Sequence, residues 1–366
     1  MKKFKLGNKV IGNGAPTFII AEAGSNHNRD LNMAKQLIDV AADADADAIK
    51  FQLFKADKLY VPTAGTADYL KNSTNIFDII KSMEMPYEWL PELSSYAKSK
   101  GLVFLSSVFD EESADVFDKF SLGFKIASYE VTHLPLIRHV ARKKKPMIIS
   151  TGLANIGEMY EALQACREEG NENVALLHCI AQYPAQPEYA NLNVIRTMQL
   201  AFDVPIGYSD HTLDPVVAPE LAVALGAKVI EKTFTLSRKL PGPDHGYSIE
   251  PGELKQMVSA IRRTEQMSES EKDKILSASS SQKLLGNSVR KIYPGEVELS
   301  TFARRYVYSR CEITRGELLT KKNIVVLRSG KAPHGLEPKF YDILLGKKAV
   351  VNIKAFQPIM WDSVLQ

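Results

Sequence analysis

Lys50, Lys125, Lys232 and His211 each stand at or just beyond the end of a short apolar run, in four well-separated parts of the chain. If those runs are brought side by side, the four side chains converge around one cavity and make it an anion site. Ammonium groups and serine hydroxyls can hold a phosphate and a carboxylate together, with Ser128 and Ser150 as the neutral donors. Glu22 and Glu130 are the carboxyl groups expected beside these cations, placed to exchange protons with a hydroxyl or a developing alkoxide. His211 lies in YSDHT, a turn where Ser209, Asp210 and Thr212 surround an imidazole that can bind a divalent metal or shuttle protons. One histidine alone makes no metal site. Glu231 and Glu250 read as a strand-end ion pair and a helix start, and are left outside the site. In PGPDHG, residues 241–246, turn chemistry comes first, with Asp244 and His245 in reach of the cavity. Cys166, Cys179 and Cys311 lack metal-ligand spacing and are assigned no chemistry. The sequence contains no P-loop, dinucleotide fingerprint or Ser-His-Asp arrangement.

Such a convergence needs a scaffold, and eight β-rich apolar runs supply one: Thr17–Ala21, Ala48–Gln52, Leu102–Ser106, Gly123–Ala127, Met147–Ser150, Val174–Cys179, Val204–Tyr208 and Lys228–Glu231. Segments of helical period such as LNMAKQLIDVAADA and IGEMYEALQACREEG lie between most of them, as crossovers between parallel strands require. The expected fold is therefore an α/β (β/α)8 or TIM barrel. Its active rim lies at the C-terminal strand ends, where Glu22, Lys50, Gln52, Ser106, Ser107, Lys125, Ser128, Ser150, Thr151, His178, Tyr183, Ser209, Glu231 and Lys232 cluster. Phe54 to Pro86, with Thr63, Gly65, Asn72, Ser73 and Asn75, reads as a long, partly helical rim loop. Residues 3 to 12, turning at Gly7-Asn8, are expected to form a hairpin that plugs the barrel floor.

The barrel is expected over residues 1–267, followed by a polar, Ser-rich linker at 268–295. A small β-rich domain over 296–366 follows, with turns at Arg315-Gly316, Ser329-Gly330 and His334-Gly335. With 46 basic and 43 acidic residues, a net charge of +3 does not point to nucleic acid or an acidic membrane as the main partner. No apolar run approaches the length of a membrane span, and the basic start MKKFKLGNKV breaks before any signal-type core. A soluble, cytoplasmic protein with a small-molecule partner is expected.

The ordered stretches FIIAEAGSNHN, ADAIKFQLFKAD, FKIASYEVTHLPLI, PMIISTG, LLHCIAQYPA, IGYSDHT, GAKVIEKTFTL and GPDHGYSIEP resemble the sialic acid synthase family, in its spore coat polysaccharide branch. ITRGELLTKKNIVVLR and PHGLEP are similar to its C-terminal antifreeze-like (SAF) domain. The resemblance implies condensation of phosphoenolpyruvate with an N-acylated aminohexose, giving a sialic-acid-like nonulosonic acid and phosphate, with C–O cleavage. It implies that Lys50 and Lys125, with Ser107, Ser128, Ser150 and Ser209, hold phosphoenolpyruvate, and that Glu22 serves catalysis. Glu130 is implied at the sugar, Tyr183 and Asp244 are implied to face the pocket, and Arg305 is implied to arrive from a second subunit in a domain-swapped homodimer. It also implies a divalent metal, Mn2+ or Mg2+, held by His211 and by the histidine of an EKHFT motif, but here the chain reads EKTFT, with Thr233 in that place. A hydroxyl ligates far more weakly than imidazole, leaving loose binding, a preference for Mg2+, or recruitment of His245. Ala181 stands where many relatives carry an asparagine that touches the sugar. Two other readings are a catalytically silent sugar-binding protein of the same fold and a Schiff-base aldolase using Lys50 or Lys125.

Overall fold

The structure, a computed structural model, describes residues 2–68 and 74–365; Asn72 and Ser73 of the rim loop lie outside the described residues. The chain opens with an antiparallel hairpin, β1 (Phe4–Leu6) and β2 (Lys9–Ile11). Phe4, Leu6 and Ile11 pack into one cluster with Phe18, Ile20, Val103, Leu105, Ile148, Leu177 and Val229, so the hairpin closes the barrel floor as expected. The fit is tight at Gly123, where an added Cβ would stand 2.5 Å from the Leu6 side chain.

Eight parallel strands then close into a barrel: β3 (Phe18–Gly24), β4 (Ala48–Leu53), β5 (Val103–Val108), β6 (Phe124–Ile126), β7 (Met147–Ser150), β8 (Val174–Cys179), β9 (Ile206–Asp210) and β10 (Val229–Thr233), with β10 paired back to β3. The crossover from β3 to β4 shows how sequence dictates the outer layer. In α1 (Leu31–Asp43), Asp30 caps the first turn, and Ala34, Leu37, Ile38 and Ala41 recur at helical spacing on the buried face.

Alternation along each strand separates two apolar layers. Ile19, Ala21, Ile49, Phe51, Phe124, Ile126, Ile149, Leu176, Tyr208 and Ile230 pack outward against the helices. Phe18, Ile20, Ala48, Val103, Leu105, Ile148, Leu177 and Val229 fill the interior lower down. Continuing the inward series upward reaches Glu22, Lys50, Gln52, Ser107, Lys125, Ser150, Cys179, Ser209, Glu231 and Thr233. The polar rim is thus the top of the barrel's own interior.

The loop after β4 carries α2 (Ala56–Leu59) and α3 (Ile76–Met83). Residues 268–295 contain helices at Glu269–Ser277 and Gln282–Leu285, and Leu284 and Leu285 bury against the barrel core. Beyond them, β11 (Arg305–Ser309) pairs antiparallel with β12 (Ile324–Arg328), and bridges Ile313↔Ile353 and Leu318↔Lys348 complete a small β-rich domain. That domain rests on the rim loop of the same chain: Tyr60 bridges Arg328, and Lys331 N–H donates to the Ala64 carbonyl at 2.7 Å. Gly330 makes the close approach possible, since a Cβ there would fall 2.2 Å from that carbonyl oxygen. Among the described residues, no helix is long and apolar enough to cross a membrane.

Candidate active site

A cavity of 340 Å³ opens at the C-terminal rim, and ten inward strand-end residues line its base and walls: Glu22, Lys50, Gln52, Ser107, Lys125, Ser150, Cys179, Ser209, Glu231 and Thr233. Pairing in register brings Glu22 beside Lys50 and Ser107 beside Lys125. Lys50 Nζ lies 2.6 Å from Glu22 and 3.6 Å from Glu231, and donates to Ser107 Oγ at 3.0 Å. Lys125 Nζ donates to Ser150 Oγ at 2.7 Å and to the Ile126 carbonyl at 2.9 Å, with Glu231 at 4.0 Å. Ser128 also lines the cavity, and its Oγ accepts from Gly152 N–H at 3.0 Å.

These buried charges set one another's protonation. Burial raises the Glu22 carboxyl above its ordinary value, against the lowering effect of Lys50, and nearby Glu231 raises it further. Burial acts the same way on Glu231, yet Lys125 and Lys50 together hold that carboxyl below its ordinary value. Burial also lowers Lys125, although Glu231 opposes it. Two neighbouring carboxyl groups are thus pushed in opposite directions, Glu22 toward holding a proton and Glu231 toward ionisation, a separation that acid–base chemistry uses.

Higher in the cavity stand Tyr183, His211, Asp244 and Tyr247. The Tyr183 ring lies 4.4 Å from the imidazole of His211 and 5.3 Å from Tyr247. Burial raises the Asp244 carboxyl, while Tyr247 and His211 partly counter it. The C-terminal domain contributes Arg328. Its guanidinium lies 4.8 Å from the Tyr129 ring centre and donates to Glu130 Oε1 at 2.6 and 3.1 Å.

Arg305 does not line the cavity. It is buried behind Glu130, donating to Glu130 Oε1 at 3.1 Å and to the carbonyls of Lys58, Phe109 and Val326, all within one chain. Glu130 lies below the lining too, as the shared acceptor of both arginines. Glu130→Ala leaves two buried guanidinium groups without their carboxylate and is expected to cost about 3–5 kcal/mol. A lowered thermal midpoint, with earlier proteolysis of the C-terminal domain, is the measurement that checks it.

Alternation corrects the strand-end assignments in both directions. Lys232, expected in the anion site, points outward, pairs with Asp210 at 2.5 Å and donates to the Asp214 carbonyl at 2.9 Å. Glu231, left out of the site, points inward between the two lysines. His178 also faces outward, stacked on Tyr208 and bonded to the Ala190 carbonyl, and burial lowers it to about 4. Cys179 lines the cavity with its Sγ 3.8 Å from His211 Nδ1. Strand parity was the signal that could have sorted these residues from sequence; Arg328 carried no such signal, because only domain docking brings it to the rim.

The donors do not assemble the two-imidazole metal site that the resemblance implies. His211 Nδ1 lies 2.8 Å from the Ile180 carbonyl, which leaves Nε2 for the cavity, and the residue lining the cavity in place of the second imidazole is Thr233. His245 is engaged elsewhere, at 2.6 Å from Thr235 Oγ1 and 3.1 Å from Asn28 Oδ1. Among the described residues no group of three or more His, Cys, Asp or Glu is clustered to hold an ion. This set does not fit a closed transition-metal shell, and no step below is routed through one.

Comparison with known proteins gives the same arrangement a lineage. The chain is 46% identical, over its whole length and 98% of the relative, to the spore coat polysaccharide biosynthesis protein SpsE of Bacillus subtilis. The crystal structure of that protein superimposes with a TM-score of 0.88, covering 100% of this chain and 99% of the other. The N,N'-diacetyllegionaminic acid synthase of Legionella pneumophila is 37% identical over 98% of this chain and 97% of its own. A sialic acid synthetase structure from Leptospira borgpetersenii, solved with citrate, is 33% identical with a TM-score of 0.66, covering 75% of this chain and 95% of the other. The SAF domain model matches residues 304–365, the small domain that carries Arg328. With the NeuB family model matching residues 37–273, across seven of the eight barrel strands that build the cavity, the chain belongs to the NeuB family.

Proposed function

We propose that this protein condenses phosphoenolpyruvate with the open-chain aldehyde of an N-acylated aminohexose, giving a nonulosonic acid and phosphate. The single observation that carries this reading is the pair Lys50 and Lys125, both pointing into one cavity with Ser107 and Ser150 as partners and Glu22 beside them. The named activities of the legionaminic and sialic acid synthases support the same product class. SpsE supports a place in surface or spore coat polysaccharide biosynthesis.

Lys50 and Lys125 hold the carboxylate and phosphate of phosphoenolpyruvate, with Ser107, Ser128, Ser150 and Ser209 supplying further polar contacts. Carbon 3 attacks the aldehyde carbon; the new C–C bond leaves charge on the aldehyde oxygen, which takes the proton held by Glu22. Cation character then falls on carbon 2, where Glu231, kept ionised by the two lysines, stabilises it. Water adds to carbon 2 and loses a proton to the Glu22 carboxylate, which restores the acid; the resulting hydroxyl then becomes the carbon 2 ketone as the bond from that carbon to the phosphate oxygen breaks and the hydroxyl proton leaves with the phosphate. Tyr183, Asp244, His211 and Arg328 face the sugar, and Glu130 with Arg305 fixes the Arg328 guanidinium. Exchange of C-terminal domains between two copies would preserve these contacts, so the chemistry does not depend on which chain supplies Arg328.

The test is phosphate release from phosphoenolpyruvate with a panel of N-acylated hexosamines, each run with Mn2+, Mg2+ and chelator. Release that requires the sugar is expected, and silence with every sugar sinks the reading. The second reading, a silent sugar-binding protein, is favoured by Thr233 alone and predicts sugar binding without turnover. Thr233→His is expected to tighten Mn2+ binding measured by isothermal titration, because it supplies the missing imidazole.

A further inference from the structure

The loops that follow β7 and β8 are held from outside the barrel by two charged side chains, Arg290 and Glu296, which pair at 3.0 Å with no exposed side-chain surface. Glu296 Oε1 accepts from Ala181 N–H at 2.9 Å and from Leu153 N–H at 3.4 Å, while Oε2 accepts from Tyr293 N–H at 3.1 Å. Arg290 donates from Nε to the Ala154 carbonyl at 3.0 Å, from Nη2 to the Thr151 carbonyl at 3.4 Å and from Nη1 to the Lys291 carbonyl at 2.7 Å. The turn 151–154 is thereby gripped at three backbone groups directly after Ser150. Within it Leu153 has a φ of +65°, a left-handed conformation that costs energy for a residue other than glycine. Glu296 holds the N–H of that residue, and Arg304 donates to its carbonyl at 2.6 Å.

The grip reaches the cavity through Gly152. Its N–H, between the held residues, donates to Ser128 Oγ at 3.0 Å, and a Cβ at that position would stand 2.8 Å from the same oxygen. An oxygen that accepts from Gly152 keeps its own hydrogen for an acceptor elsewhere, and Ser128 lines the cavity. Neither Arg290 nor Glu296 touches that cavity. A buried ion pair gives little net stability over apolar side chains of the same volume, but only polar groups can fix the direction of backbone N–H and C=O groups. What this pair achieves is therefore orientation.

Resting on the synthase reading above, we propose that Arg290 and Glu296 are positioning residues for the phosphoenolpyruvate site. They hold the 151–154 turn so that Gly152 aims the Ser128 hydroxyl at the bound anion.

The experiment is a double-mutant cycle of Glu296→Gln and Ser128→Ala. It reads the Kd of phosphoenolpyruvate by isothermal titration, and its KM and the kcat by phosphate release with a sugar the native protein turns over. In Glu296→Gln an amide N–H2 faces the donors of Arg290 or of the held loops, which loosens the grip. Each single variant is expected to raise Kd and KM for phosphoenolpyruvate about tenfold, the loss typical of one hydrogen bond to a charged group. Adding Ser128→Ala to Glu296→Gln is expected to change them by no more than about twofold further, because the carboxylate acts through that hydroxyl. A purely structural role gives a different signature: a smaller folded fraction lowers kcat per mole of chain and the thermal midpoint, with KM at its native value. Unchanged Kd and KM in a folded Glu296→Gln, or effects that multiply in the double variant, overturn the proposal. Should Glu296→Gln fail to fold, Arg290→Lys, which keeps the charge but replaces the planar donors with one ammonium, takes its place in the cycle with the same expected results. A native protein that turns over while the cycle multiplies defeats this inference alone; a native protein that neither binds phosphoenolpyruvate nor releases phosphate defeats the synthase reading, and this one with it.

Discussion

Lys125→Met is expected to lower kcat/KM for phosphoenolpyruvate by about 100- to 1000-fold, the loss typical of removing one preorganised donor from a buried oxyanion site. Lys125 is 1% exposed and its ammonium holds Ser150 Oγ, so its charge reaches a bound dianion through little water. The effect should fall on phosphoenolpyruvate, with the sugar KM much less changed. Lys125 is also the cleaner of the two lysines to remove. Losing Lys50 would strand Glu22, its partner at 2.6 Å, whereas losing Lys125 leaves Glu231 still 3.6 Å from Lys50. Circular dichroism and a thermal melt of Lys125→Met should therefore remain near the native values while phosphate release collapses. Retention of near-native kcat/KM would remove the dianion site from the mechanism.

Glu22→Gln is expected to reduce kcat by about 100- to 10,000-fold, because the amide keeps the shape of the carboxyl but cannot deliver a proton. The pH profile carries the sign. Burial holds the Glu22 pKa above the ordinary carboxylate value, so the protonated, active form dominates below that raised pKa and is lost as pH rises through it. The native kcat profile should accordingly fall on its alkaline side, and Glu22→Gln should flatten that limb along with the rate. A variant that loses rate but keeps the alkaline limb would assign the proton to another group. Lys125, lowered by burial, is the nearest alternative, and its titration should appear in the KM for phosphoenolpyruvate rather than in kcat.

Sequence alone was sufficient for the barrel, because eight short apolar runs separated by helical periods have few other ways to bury both faces of a parallel sheet. It also located Lys50, Lys125, Ser107, Ser128, Ser150, Ser209, His211 and Tyr183 near one rim, since each lies at or just after the end of a strand. The position of a residue along a strand is a property of the chain, and the C-terminal ends of parallel strands all lie on one side. The direction a side chain takes from that strand depends on where pairing begins. A shift of one residue turned Lys232 outward and Glu231 inward, and placed Cys179 rather than His178 in the cavity. Contacts between distant segments were the other hidden layer. Arg328 and Glu130 are 198 positions apart, and Arg305 meets the same carboxylate from behind. The stretch from Phe54 to Pro86 was legible as a partly helical rim loop, but which side of α3 faces core and which faces cavity is settled only by what packs opposite. Local sequence thus determined the strands, their order and the chemistry at their ends. Tertiary structure decided which of those groups share a cavity, because parity, docking and unfilled space are relations between segments that no single segment contains.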